Sequence, residues 1–322
     1  MAQITSSLFS GNEIMIVRSR ILLIALWLFW SLVSAGWAAE GPDPVCAAST
    51  DGAFLRTARP KIIGGENAAI EDFPWSATIA FAAPENDRAA HLCGAVIIGK
   101  HWLLTAAHCV HDCEGLEGRI AVYAGGDVYG STSRTEDQSL RGPLRIRRVV
   151  VHKSFRMEAP NFGPVELLSV PRNDIALVQL EEGLEPSATS QFALLPEADG
   201  LRTMIENGKL GAVAGFGRYR AFGISVRKMQ FMQARIYADE ICNLPTEMNG
   251  NLVPGEMLCG GDADGRDRAC KGDSGAGLVA RNGEQPIVFG LVSWKSDCDS
   301  GVGLGAYTNV LNYRDWIETL TK

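Results

Sequence analysis

Three short segments of this 322-residue chain hold residue types that cooperate in acyl transfer. In Leu104-Thr105-Ala106-Ala107-His108-Cys109 a histidine follows an apolar run, and in Asn173-Asp174-Ile175-Ala176-Leu177 a carboxylate heads another. In Gly272-Asp273-Ser274-Gly275 a serine sits in a glycine-flanked turn, where backbone N–H groups can point at a neighbouring oxygen. A serine hydroxyl is a weak nucleophile at neutral pH and needs a base whose pKa lies near the operating pH, which is the property of imidazole. A carboxylate on the far ring nitrogen fixes the tautomer and stabilises the imidazolium. Taken singly, each segment has a structural reading: a histidine beside a buried strand, an aspartate capping a turn, a common glycine loop. Together, in the chain order His, Asp, Ser and downstream of Lys61-Ile62-Ile63-Gly64-Gly65, they point to one constellation.

The elements that must position these residues are short strands. Largely apolar runs recur at residues 77–81, 95–98, 120–123, 149–151, 175–180, 213–216 and 287–294, most of them separated by Gly, Asn, Asp or Pro. Strands at this spacing, with no helical period between them, predict antiparallel barrels or a sandwich. Only the C-terminus reads as a helix, over residues 312–321: Tyr313, Trp316, Ile317 and Leu320 fall at helical spacing, with Asn312 as N-cap and Asp315 in the first turn. The 35 glycines exceed the usual share of about 7% and suit turn-rich β structure. Hydrophobic residues at 46% and charged ones at 21% exclude long disorder, and a net charge of −7 offers no footprint for a phosphate backbone, so nucleic acid is not an expected partner.

The eight cysteines make the compartment matter. Residues 21–33 form an apolar stretch preceded by Arg18 and Arg20 and followed by Ser34, Ala35, Gly36 and Ala38, the layout of a secretory signal. That stretch is short for a bilayer span of about 20 residues, so export with cleavage near Ala38 is expected and stable membrane insertion is not. Residues 1–38 are read as the signal peptide, with Met15 a better-proportioned start, and residues 39–61 as a pro-segment rich in Ala, Gly and Pro. The protein is therefore expected to be secreted, in an extracellular or periplasmic space where cysteines pair. His108, Cys109, His111 and Cys113 crowd together, but zinc would compete there with disulfides, and the stretch 127–137 lacks a decisive calcium-ligand spacing. No metal and no cofactor is expected.

With these residues in place, the sequence resembles the trypsin and chymotrypsin family of serine proteases over residues 62–322. The resemblance implies an all-β fold of two packed antiparallel six-stranded β-barrels, chymotrypsin-like, at about 62–180 and 181–310, followed by the C-terminal α-helix. It implies a serine-type endopeptidase with His108 as general base, Asp174 as its orienting carboxylate and Ser274 as nucleophile. The amides of Gly272 and Ser274 match the family's oxyanion hole. Cleavage after Lys61 would free an ammonium at Ile62 that buries against Asp273, making the chain a zymogen. The family pattern pairs Cys93 with Cys109, Cys242 with Cys259 and Cys270 with Cys298. Cys46 and Cys113 remain, and their pairing would tether the pro-segment. The implied partners are protein or peptide substrates, an activating protease and a protein inhibitor.

The sequence departs from the family where specificity is set. The pocket base aligns with Arg268, where tryptic members carry aspartate. A cation there favours an acidic side chain before the scissile bond. If Arg268 turns instead to Asp267 or Asp264, the pocket is apolar and floored partly by Ala269, and a basic preference is third in order. Ser293 and Trp294 fit the strand that pairs with substrate, Lys295 and Asp297 replace common glycines at the rim, and Gly305 keeps the opposite wall open. Residues 151–173 read as a long exposed loop near the cleft. A catalytically silent, protease-like binding or regulatory protein is the alternative function.

Overall fold

Along residues 231–237 burial alternates residue by residue, the signature of a strand with one face on a core. The computed structural model of the chain describes Cys46 and residues 65–81, 91–129, 141–160, 169–217, 227–262, 269, 272–295 and 304–322. The expected signal segment, Lys61, Ile62, Arg268, Asp297, Cys270 and Cys298 lie outside the described residues.

In chain order the strands are β1 (Glu66–Asn67), β2 (Ser76–Phe81), β3 (His91–Gly99), β4 (Trp102–Thr105), β5 (Ile120–Ala124) and β6 (Val128–Tyr129). They continue with β7 (Arg141–Leu144), β8 (Ile146–Val151), β9 (Arg156–Glu158), β10 (Val170–Arg172) and β11 (Ala176–Leu180). The second half supplies β12 (Leu210–Gly215), β13 (Arg227–Lys228), β14 (Gln230–Tyr237), β15 (Met257–Gly261), β16 (Gly277–Asn282), β17 (Gln285–Trp294) and β18 (Gly305–Asn309).

The first sheet runs β5, β2, β3, β4, β11, β8, all antiparallel. β7, separated from β8 by Arg145 alone, pairs with β5, so one bent stretch of chain bonds both edges of the sheet. In the second sheet β14, β12, β16, β17, β18 and β15 pair in turn and β15 returns to β14, closing a six-stranded barrel. Closure removes the open edges that strands otherwise expose. The fold is thus all-β and chymotrypsin-like, with a short C-terminal helix.

Each sheet wraps its own core. Ile79, Ile97, Leu103, Val122 and Val178 fill the first, and Val213, Met232, Ile236, Leu278 and Tyr307 the second. A third cluster joins them, with Trp75, Leu104 and Leu177 from the first half meeting Val279, Val288 and Leu291 from the second. Strands β4 and β11 are buried on nearly every residue because they face both their own core and this seam.

The helical content corrects the sequence reading in two ways. A helix at Ala198–Glu206 was not expected, because it is only nine residues long and buries just Leu201 and Met204. The C-terminal helix spans Arg314–Thr321, with Tyr313 in place of Asn312 at its N-cap position and no side-chain cap; the 3-10 turn before it, Val310–Tyr313, is capped by Asn309, whose side chain accepts from Leu311 N at 3.2 Å. Ile317 seals this helix into the seam. Part of the long loop expected at 151–173 is instead a hairpin, with β9 and β10 paired antiparallel. Among the described residues no helix is long and apolar enough to cross a membrane.

Candidate active site

His108 sits on a 3-10 turn at Ala107–Cys109, directly after β4. The small buried residues Ala106 and Ala107 let the chain turn tightly there, and Cys109 is disulfide-bonded to Cys93 of β3. Asp174 follows Asn173, whose φ of 49° lies in the left-handed region that asparagine tolerates better than most residues. The Asp174 side chain is 2% exposed and the His108 side chain 21%.

Three donors converge on this buried carboxylate. His108 N donates to Oδ1 at 2.8 Å, His108 Nδ1 to Oδ2 at 2.8 Å and Ser293 Oγ to Oδ2 at 2.6 Å. Thr308 Oγ1 donates to the Asp174 carbonyl at 2.7 Å. The first sheet therefore supplies the acid and the second supplies two of the groups that hold it. Burial opposes the charge on Asp174, yet the His108 charge and these hydrogen bonds outweigh it and keep the carboxyl below its ordinary range. Burial likewise works against a charged His108, but the Asp174 charge and hydrogen bond raise its pKa above the ordinary imidazole value.

Ser274 lies in a turn shaped by Gly272, whose φ of 94° is accessible to glycine and strained for other residues. Gly275 N donates to Val292 O at 2.8 Å, and Ala276 N donates to Asp273 O at 2.9 Å, pinning the turn to β17 and to itself. Gly94 N of β3 donates to Ser274 O at 2.8 Å. A Cβ at Gly94 would stand 2.8 Å from both the Cβ and the amide nitrogen of Ala276, so glycine there allows the two backbones to meet. Because Gly94 neighbours Cys93, and Cys93 is bonded to Cys109, the serine turn and the histidine turn share one anchor strand.

His91 also reaches this turn and was not recognised in the sequence. Its Nε2 donates to Gly272 O at 2.7 Å, and its Nδ1 is hydrogen-bonded to Thr78 Oγ1 of β2. A histidine 181 positions from its partner carries no local motif. Ser293 was read only as a strand residue facing substrate, and its bond to Asp174 is likewise a tertiary fact.

Asp273 is fully buried. Its charge joins burial in raising the pKa of the buried Tyr307 phenol. Of the residues expected to line a substrate pocket, Ala269 packs against the second core, and Trp294, Lys295 and Gly305 are half-buried. Arg268 and the Cys270 and Cys298 pair lie outside the described residues. Cys242 is bonded to Cys259 and Cys46 to Cys113. Cys46 is fully buried, its N donates to Asp112 Oδ2 at 2.8 Å, and its carbonyl accepts from Arg119 Nη1 at 2.6 Å. Cys93, His108 and Cys109 lie close enough to share an ion, as do Cys46, Asp112 and Cys113, but in each group both sulfurs are committed to a disulfide.

A buried aspartate that holds a histidine by two hydrogen bonds, and a serine in a glycine-bounded turn tied to β3, are the residue types of the serine hydrolase class. Residues 62–317 match the family model described as Trypsin, and the chain belongs to that family. It is 28% identical over 262 residues to a CLIP domain-containing serine protease B4 of Anopheles gambiae, covering 80% of this chain and 69% of that protein. It is 30% identical over 262 residues to a transmembrane protease serine 11C of Mus musculus, covering 81% of this chain and 54% of the mouse protein. The chain thus spans about half the length of the mouse relative.

Proposed function

We propose that the chain is an exported serine endopeptidase, made as a zymogen, activated by cleavage after Lys61 and acting through an acyl-enzyme on Ser274. The observation that carries this reading is the 2.8 Å contact between His108 Nδ1 and the buried Asp174 Oδ2. With Nδ1–H committed to a carboxylate, a neutral imidazole presents Nε2 as its lone pair, the form a general base needs. Ser274 Oγ attacks the scissile carbonyl while its proton passes to Nε2. The C–N bond then breaks as that proton moves to the leaving amine. Water repeats the sequence in reverse order on the ester, releasing the acid and restoring the hydroxyl. The carbonyl oxygen that becomes negative is received by the amides of Gly272 and Ser274, each such donor being worth about 3 kcal/mol.

Activation follows from Asp273. Cleavage after Lys61 creates an ammonium at Ile62, and a fully buried carboxylate beside the nucleophile is a destination for it. Pairing there draws the Gly272 turn into its working shape, and breaking such a pair costs about 3–5 kcal/mol. The Cys46 to Cys113 disulfide keeps the pro-segment attached after the cut. Three disulfides among the described residues suit an oxidising compartment, in line with the apolar leader. At the pocket base, Arg268 favours Asp or Glu before the scissile bond.

Comparing the purified uncleaved chain with the same chain cut after Lys61 tests the reading on peptide substrates. The cut form is expected to be far more active, and equal rates overturn the zymogen. A mixed peptide library then reads specificity, and cleavage profiles lacking Asp and Glu before the cut remove the role given to Arg268.

A further inference from the structure

The residues just before Asp174 are gripped from the second sheet by a side chain that the peptidase chemistry does not use. Glu256 directly precedes β15, and its carbonyl accepts from Asn309 N of β18 at 3.0 Å. Its carboxylate takes Arg172 in a bidentate pair, Nε to Oε1 at 3.0 Å and Nη2 to Oε2 at 2.9 Å. The same Oε1 accepts from the backbone N of Asn173 at 2.6 Å. Arg172 also donates through Nη1 to Glu158 Oε2 across the β9 and β10 hairpin, at 2.5 Å. The Arg172 and Glu256 side chains are only 19% and 12% exposed, so solvent screens this pair weakly.

The grip is directed. Asn173 carries the left-handed backbone, with its Oδ1 accepting from Tyr313 OH at 3.2 Å and its Nδ2 donating to Ser154 O at 3.2 Å. One residue on, the carbonyl and carboxylate of Asp174 are held by Thr308 and Ser293. Three successive residues leading into β11, 172 to 174, are thereby fixed by Glu256, Thr308 and Ser293 from the second half of the chain. Two residues earlier on the same strand β10, Val170 packs with Met248, Leu252 and Met257, which docks the hairpin against the second half of the chain.

We propose that Glu256 is a positioning residue for the orienting carboxylate: through Arg172 and Asn173 N it sets the angle at which Asp174 meets His108. The proposal rests on Asp174 serving the serine chemistry described above. Bidentate pairing suits this task because it fixes direction as well as distance. Misplacing a catalytic group by about 1 Å from a remote change costs on the order of 10²-fold in rate.

Charged and titratable groups face this region from each neighbouring element: Arg156 and Glu158 on β9, Arg172 on β10, His152 and Lys153 after β8, Tyr313 before the C-terminal helix, and Glu256 itself. The test must therefore separate geometry from a lost charge. Glu256→Gln removes the charge and keeps an acceptor for Asn173 N. Glu256→Ala removes both. Arg172→Ala leaves Glu256 but unlinks the hairpin.

Each variant is cut after Lys61, its active sites are counted with a fluorophosphonate, and kcat and KM are measured per labelled site. His108 is titrated by NMR in a Ser274→Ala background, with His152 as the internal control for charge. Glu256→Ala and Arg172→Ala are expected to lower kcat about tenfold or more per site at nearly unchanged KM, and to move the His108 midpoint toward the ordinary imidazole value more than Glu256→Gln does. The proposal is overturned if both alanine variants keep kcat and the His108 midpoint of the parent, if their losses equal the loss of labelled sites, or if Glu256→Gln shifts His108 as much as Glu256→Ala does. An unlabelled parent protein contradicts the peptidase reading alone, since the His108 titration needs no turnover and still judges the clamp.

Discussion

His91 donates from Nε2 to the carbonyl of Gly272 at 2.7 Å, tying β3 to the turn that carries Ser274. The N–H of Gly272 belongs to the oxyanion hole under the proposed mechanism, and holding the following peptide unit by its carbonyl restricts the φ and ψ of Gly272 that aim this donor at the substrate. An acceptor-only partner also fixes Nε2 as the protonated nitrogen.

His91→Ala is expected to lower kcat on an ester substrate about tenfold or more, because loss of one oxyanion donor costs on the order of 10²-fold and the released peptide is only partly misaligned. Thr78→Val, which removes the hydroxyl behind His91, should have the same direction and a smaller size. Steady-state kinetics of the activated variants checks this, and wild-type kcat in His91→Ala would mean that the turn holds its own shape.

Gly272→Val forces a branched side chain into a φ of 94°, a strain of about 1–3 kcal/mol that the turn relieves by rotating the amide away. The variant should keep Ser274 and lose most of kcat. Ester hydrolysis by the purified variant at the wild-type rate contradicts the placement of the hole.

The pH dependence follows from the two shifts. Burial opposes the His108 charge, but Asp174 raises its pKa, so the acid limb of kcat/KM should rise through a midpoint above the ordinary imidazole value of about 6.5. In stability terms the raised His108 contributes fully below that ordinary value, and its contribution disappears as pH climbs through the folded pKa. Asp174, held low against its own burial, contributes above the ordinary carboxylate range and loses that contribution as pH falls through its depressed value. Asp174→Asn should flatten the acid dependence of the melting temperature and lower the His108 midpoint. An unchanged midpoint by NMR would show that Asp174 does not govern His108.

The Cys46 to Cys113 bond closes a sequence separation of 67 residues, and Cys46→Ser with Cys113→Ser should destabilise the uncut chain by about 2–5 kcal/mol. After cleavage, intact mass without reductant is expected to include the pro-segment, and reduction should release it. Release without reductant would show that the tether does not form in solution.

Much of this was legible in the chain, and what was not has physical causes. The strands at 77–81, 120–123 and 287–294 announce themselves because each is an apolar run closed by turn residues, and the observed β2, β5 and β17 extend them by one or two residues. The helix at Ala198–Glu206 hides because two buried residues make a weak stripe. In the site, His108, Asp174 and Ser274 stand in short motifs that local chemistry can explain. Their supports do not: His91, Ser293, Thr308 and Glu256 act at separations of 83 to 181 residues, where only the closed sheets bring donor and acceptor together. The hairpin of β9 and β10 reads as loop because its stem is three residues long and is fastened by the Arg172 ion pairs more than by apolar alternation.

The central claim is that Ser274 is a nucleophile activated by His108. Treating the chain cut after Lys61 with a fluorophosphonate and locating the adduct by peptide mass spectrometry tests it most directly. Near-stoichiometric modification at Ser274, abolished by His108→Ala, is the expected result. A folded, processed protein whose Ser274 stays unmodified contradicts the account and makes the chain a silent member of its family.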